Sequence, residues 1–275
     1  KSISRPYLRL MTGFMLISLM MQPISYYLSN EDILTQAIST AVKGENNPAF
    51  LDGAKEEKQN QIKEQSLKVK MCGMRRKEDI AYANEVKPDA VGYIFFPKSK
   101  RYVTGQQAKE FDQDLDQDIL SVGVFVNETI EKVIEIANQV PLDVIQLHGD
   151  EDHTYVEQLK QQTDKEIWKV VRVKDTNDIK EAEKLPVDKL LLDTFTEEKD
   201  MYGGTGKVMN YDLIPKEGIR KPFFIAGGLH SKNIKEITKK VHPYGIDISS
   251  GIETDGYKDL KKMKEIMQIT GGRHE

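Results

Sequence analysis

Cys72 is the only cysteine in 275 residues, and it stands in "VKMCGMRRKEDI", between an apolar run and a basic, helix-opening one. Free cysteine is among the most buried residue types, so core filler is one reading. The other is chemical. A thiol followed by Gly73 and the pair Arg75 and Arg76, near a helix start, is expected to have a lowered pKa. Its thiolate could take a proton from a carbon next to an imine. Asp193 follows "KLLL". A carboxyl at the mouth of an apolar strand is expected to have its pKa raised by partial desolvation, and so to serve as a general acid. It reads equally as a capping or loop aspartate. Arg101, in "KSKRYV" beside Lys98 and Lys100, can grip a carboxylate with its planar fork or simply face solvent. Three glycine loops complete the set: "GGTGK" (203–207), "AGGL" (226–229) and "SSGIE" (249–253). Each could bring backbone N–H groups close to a phosphate, and each could be a plain turn.

These residues matter together only if the chain gathers them. From Leu67 onward, short β-branched runs alternate with amphipathic stretches of helical period. The runs are "LKVKM" (67–71), "AVGYIF" (90–95), "LSVGVFV" (120–126), "DVIQLH" (143–148), "IWKVVRV" (167–173), "KLLLD" (189–193), "PFFIAG" (222–227) and "GIDISS" (245–250). Helical stretches include "KEDIAYANEV", "ETIEKVIEIANQV", "DHTYVEQLKQQ", "NDIKEAEKL" and "SKNIKEITKKV". The sixth is weak, only "VMNYDLIP" after a glycine loop. Continuous apolar strands of this kind mark a parallel sheet covered by helices. Their number and length predict an α/β fold, a closed (β/α)8 TIM barrel. A doubly wound open sheet is the alternative, but no dinucleotide fingerprint follows the first strand.

Barrel chemistry gathers where strands end. The strands end at Cys72, the Lys98–Arg101 loop, Asn127, His148, Arg172, Asp193, Gly227–Gly228 and Ser250–Gly251. Loops on the other face, such as "EVKPDA" and "KLPVDK", look like solvated turns.

Composition narrows the function. A formal net charge of −4 with interspersed signs leaves no footprint for nucleic acid. One cysteine and five histidines without ligand spacing exclude a disulfide framework and give zinc nothing to stand on. Residues 1–42 are of different character. No charge occurs from Leu10 to Asn30, with basic residues before and acidic ones after. A bilayer-spanning helix needs about 20 apolar residues, which this segment reaches only by including Gln22, Pro23 and Ser25. A membrane helix touching the bilayer through residues 8–29, a signal peptide, and an amphipathic or buried helix all remain open. Residues 43–66 are polar and read as a linker before the barrel at 67–275.

In order, "KVKMCGMRRKEDI", "GYIFFPKSKRYV", "VGVFVNE", "IQLHGDE", "LLLDTF", "GGTGK", "FFIAGGL" and "GIDISSGIE" resemble the phosphoribosylanthranilate isomerase family of tryptophan biosynthesis. The likeness runs from about Leu67 to Met267. It implies a cofactor-free Amadori rearrangement in the cytoplasm, by a monomer or homodimer. The phosphosugar N-(5-phosphoribosyl)anthranilate would become 1-(2-carboxyphenylamino)-1-deoxyribulose 5-phosphate. By the family pattern Asp193 would be the general acid and Cys72 the general base. Arg101 would hold the anthranilate carboxylate, and His148 would line the pocket. Gly203, Gly204, Gly227, Gly228, Ser250 and Gly251 would hold the phosphate. No metal is implied. Separately, "YLRLMTGFMLISLMMQPI" resembles a membrane segment of a stage III sporulation protein. Two alternatives therefore stand beside the isomerase: a membrane-tethered assembly protein with a passive barrel, or another phosphosugar barrel enzyme. Of the latter, indole-glycerol-phosphate synthase would want catalytic lysines at strand ends, and a ribulose-phosphate epimerase would want metal-binding histidines.

Overall fold

A computed structural model describes residues 67–194, 210–215 and 218–271. The chain divides into two compact units, Lys1–Gln65 and Ser66–Glu275, and every described residue belongs to the second. The expected apolar segment (1–42), the linker (43–66) and the "GGTGK" loop with Gly203 and Gly204 lie outside the described residues. No helix among those described is long and apolar enough to cross a membrane.

Eight parallel strands close on themselves in chain order. They are β1 (Lys68–Cys72), β2 (Ala90–Ile94), β3 (Leu120–Phe125), β4 (Val144–Leu147), β5 (Glu166–Val173), β6 (Lys189–Thr194), β7 (Phe223–Ile225) and β8 (Gly245–Ile248). All eight expected strands are present, and β8 pairs with β1 to complete the barrel. The five predicted helices are α1 (Lys77–Val86), α3 (Ile130–Gln139), α4 (His153–Lys160), α5 (Thr176–Glu183) and α6 (Ile234–Val241). Two more complete the outer layer: α2 (Gly105–Asp112) and α7 (Leu260–Thr270). Among the described residues, the weak sixth unit shows one 3₁₀ turn, Tyr211–Leu213. Helix starts are fixed locally: Thr104, Thr129, Asp152, Asp175 and Asp259 each accept a first-turn backbone N–H through the side chain.

Strand side chains alternate between the two faces of the sheet. One set packs against the helices and forms the larger core, including Val69, Met71, Val91, Tyr93, Ile145, Leu190, Leu192 and Ile225. The other set points into the barrel. Its lower layers are apolar: Ala90, Val122, Val144, Trp168, Val170, Leu191 and Phe224 form a second cluster. Trp168 stacks on Phe224 with ring centroids 4.9 Å apart. This plug closes the interior below the strand ends, so a cavity can open only at the other end.

Between β8 and α7 the chain makes a small hairpin, β9 (Glu253–Thr254) and β10 (Tyr257–Lys258). Asp255 and Gly256 form its two-residue turn, both at positive φ (52° and 79°). Asp-Gly is the sequence that tolerates this conformation best.

Candidate active site

A cavity of about 340 Å³ opens above the apolar plug. Six of the eight strands line it with inward-pointing residues: Cys72, Ile94, Val124, Gln146, Asp193 and Asp247. His148, Arg101, Gly227, Gly228 and Ser250 join the wall from the loops that follow. Seven residues proposed from sequence therefore meet in one space. Gly251 stands beside it; a Cβ there would lie 1.9 Å from Leu229 O, so glycine lets the loops after β7 and β8 touch.

Cys72 ends β1, and two glycines make its place. Gly73 adopts φ +87°, a conformation side chains disfavour, and a Cβ on it would lie 2.4 Å from Arg101 Cδ. Its N–H and that of Met74 both donate to Gly92 O, at 2.8 and 3.0 Å. Gly92 is the register partner of Cys72 on β2. A Cβ on Gly92 would stand 2.7 Å from Cys72 Sγ and 3.2 Å from Lys70 Nζ. The Cys-Gly strand end is thus a packing solution as well as a chemical one.

The expected source of a low thiol pKa is corrected. Arg75 donates to Lys100 O (3.2 Å) and Gly256 O (2.6 Å), and lies over the Tyr257 ring. Arg76 pairs with Asp79 at 2.7 Å and contacts the same ring. Both tie α1 to the hairpin and neighbouring loop. The cations that pull most on the sulfur are Lys70 and Lys258, with Arg101 also facing it. Burial is the largest influence and pushes the Cys72 thiol up; Lys70 and Lys258 pull it down, Asp247 pushes it up, and the thiol stays above its ordinary value.

Arg101 also differs from expectation. Its fork already holds a carboxylate, with Nε 2.6 Å from Glu253 Oε1 and Nη2 2.8 Å from Glu253 Oε2. Lys258 Nζ donates to the same Glu253 Oε1 at 2.9 Å and to Ser249 O at 3.1 Å. Ser249 Oγ in turn donates to Cys72 O at 2.9 Å. Burial alone would raise the Glu253 pKa, but Arg101 and Lys258 bring it down to about 2. What Arg101 offers a ligand is therefore its outer edge, Nη1 and the second Nη2 proton.

Asp193, the penultimate residue of β6, is buried opposite the hairpin side. His148 Nε2 lies 3.6 Å from Asp193 Oδ2, beyond hydrogen-bond length but close enough to attract if the ring is protonated. The loop after β7 holds Gly227 and Gly228 at φ 82° and 62°. Asn233 Nδ2 fixes it by donating to Gly228 O at 2.9 Å. After β8 a 3₁₀ turn, Ser250–Ile252, starts at the cavity wall. Gly227, Gly228 and Ser250 line the cavity from these two loops, where glycine-rich backbone could approach a phosphate closely.

The family model described as "N-(5'phosphoribosyl)anthranilate (PRA) isomerase" matches residues 69–269. The chain belongs to this family. A PRA isomerase of Thermoanaerobacter sp. (strain X514) is 46% identical over 206 residues, covering 75% of this chain and 98% of that protein. The crystal structure of the Thermotoga maritima isomerase is 34% identical with a TM-score of 0.67, over 74% of this chain and 98% of that one. An isomerase structure in complex with reduced 1-(o-carboxyphenylamino)-1-deoxyribulose 5-phosphate is 31% identical, with a TM-score of 0.64 over 74% and 98% of the two chains. The activity is that of a PRA isomerase, an aldose–ketose isomerase of tryptophan biosynthesis.

Against this isomerase site, sequence reasoning missed Lys70, Gln146, Asp247, Glu253 and Lys258. Lys70 is two residues from Cys72 and so shares its face; a lysine inside an apolar barrel strand was the available signal. For Glu253 and Lys258 the signal was the "TDGY" hairpin that pairs them.

Proposed function

We propose that Cys72 and Asp193 carry the proton transfers of the rearrangement, with the substrate lying between them. Asp193 gives a proton to the furanose ring oxygen. The C1–O bond breaks as the anthranilate nitrogen pushes in, leaving a protonated Schiff base. The ionised Cys72 sulfur then takes the proton from C2. The electron pair forms the C1–C2 double bond of a neutral enolamine, which gains a proton at C1 as the C2 hydroxyl gives one up, and so becomes the ketone. The positive imine acidifies C2, so a modest base is enough. Each such transfer typically contributes ~10²–10⁴ in rate.

What supports this reading most is that the sole thiol of the chain and a buried carboxyl share one sugar-sized cavity. Arg101 would meet the substrate carboxylate with its outer edge, since Glu253 takes the inner one. Gly227, Gly228 and Ser250, with Gly251 behind them, would hold the phosphate together with Gly203 and Gly204. His148 would line the pocket and steady Asp193. The reaction would run in the cytoplasm, where a single free thiol stays reduced. Turnover of Asp193→Asn, followed by loss of substrate fluorescence, tests the acid: a fall of ~10² or more is expected, and wild-type kcat would remove Asp193 from the mechanism.

A further inference from the structure

Lys70 belongs to β1, points into the barrel and is 0% exposed. A fully buried lysine is costly, and this one has bought no apolar contact that a leucine would not make better. It is held by Asp247, its register partner on β8, with Nζ 2.9 Å from Oδ1. The same ammonium also acts electrostatically on the Cys72 side chain. Nζ and Sγ both crowd the point where a Gly92 Cβ would be. The residue that leaves room for the sulfur thus leaves room for the cation as well.

Counting the charged groups around the sulfur shows what it lacks. Lys70 faces it from β1, Asp247 from β8, Lys258 from β10 and Arg101 from the loop after β2. Glu253 neutralises Arg101 and Lys258 jointly through its two oxygens. Across the cavity stand His148 and Asp193. On the sulfur's side three cations meet two carboxylates, so the cluster can accommodate one more negative charge, the one Cys72 carries once it ionises. We propose that Lys70, steered by Asp247, is the positioning residue that holds Cys72 as a thiolate during proton abstraction. This rests on Cys72 being the base. It gives the buried sulfur the counter-charge that Arg75 and Arg76, turned toward the hairpin, do not.

The absence of any other cysteine makes the test clean. The full chain is titrated by ultraviolet absorbance of the thiolate, with Cys72→Ala as the blank for tyrosine. Lys70→Met is expected to move the thiol titration up by about one pH unit or more, tenfold in thiolate at a given pH. The rate of iodoacetamide alkylation should fall in step. Lys70→Met combined with Asp247→Asn leaves the cavity floor neutral and able to fold, and its thiol should also titrate above wild type. A thiol that titrates as in wild type in either variant would overturn the proposal and leave Lys70 as a structural partner of Asp247. The kcat/KM profile is read separately. If the thiol moves and the acidic limb of activity moves with it, both readings stand. If the thiol moves while the limb stays, Lys70 still sets the thiol's ionisation, but Cys72 is not the base and the role of Lys70 in proton abstraction falls with it.

Discussion

A Cβ on Gly92 would press on Cys72 Sγ at 2.7 Å, and one on Gly73 on Arg101 Cδ at 2.4 Å. Gly92→Ala should therefore displace the sulfur and lower kcat while KM changes little, because the phosphate loops lie elsewhere; steady-state kinetics decide it. Gly73→Ala adds strain at φ +87°. It should cost ~1–3 kcal/mol of stability, measurable by denaturant unfolding. At this scale the sequence was partly legible. Cys72, Arg101, His148 and Asp193 stood out because they end or follow apolar strands. Lys70 and Asp247 were hidden by the same apolar runs, since a strand read as buried on both faces conceals which of its faces holds charge. The thiol's raised pKa could not be foreseen from neighbours in sequence. Arg75 and Arg76 are adjacent in the chain, yet their guanidiniums turn to Tyr257, Gly256 and Asp79.

Among the elements, the β9–β10 hairpin does the least-expected work. It supplies Glu253 and Lys258, which brace Arg101 and the end of β1. Glu253→Gln leaves Arg101 and Lys258 buried without their counter-ion. A loss of ~3–5 kcal/mol is expected for a broken buried pair, with thermal unfolding as the readout. A pH effect belongs to the end of α2. Burial raises Asp112 from 3.8 to about 6, with Asp143 adding to the shift and Ser121 and Tyr93 opposing it. The folded state therefore binds this proton more tightly than the unfolded chain does. Stability should fall as pH rises from about 4 to about 6 and stay lowered above that. Asp112→Asn should match wild type at pH ~4 and exceed it at pH ~8 by roughly 1–2 kcal/mol, allowing for solvent screening of a half-buried group. An equal effect at both pH values would contradict the assignment. The strands and the five named helices were legible from periodicity. The α2 and α7 helices were not singled out: α2 has only Ala108 and Phe111 as apolar residues, whereas α7 carries Leu260, Met263, Ile266, Met267 and Ile269 at helical spacing and was overlooked. The hairpin was not read; only its first residue, Glu253, fell within the glycine loop 249–253.

For the molecule as a whole, division of labour runs along the barrel axis. Trp168 and Phe224 seal one end, and the charged cavity occupies the other. All eight strands that close the barrel lie between residues 68 and 248. A chain beginning at residue 67 should therefore fold and turn over substrate like the full chain. Strand count and spacing made this architecture readable; what position alone could not convey was which inward layer is apolar and which is ionic. The most direct test of the central claim is turnover of the full-length Cys72→Ala chain, with circular dichroism to confirm the barrel. A folded protein with kcat reduced by ~10²–10⁴ is the predicted result. A folded protein that keeps wild-type turnover would contradict it.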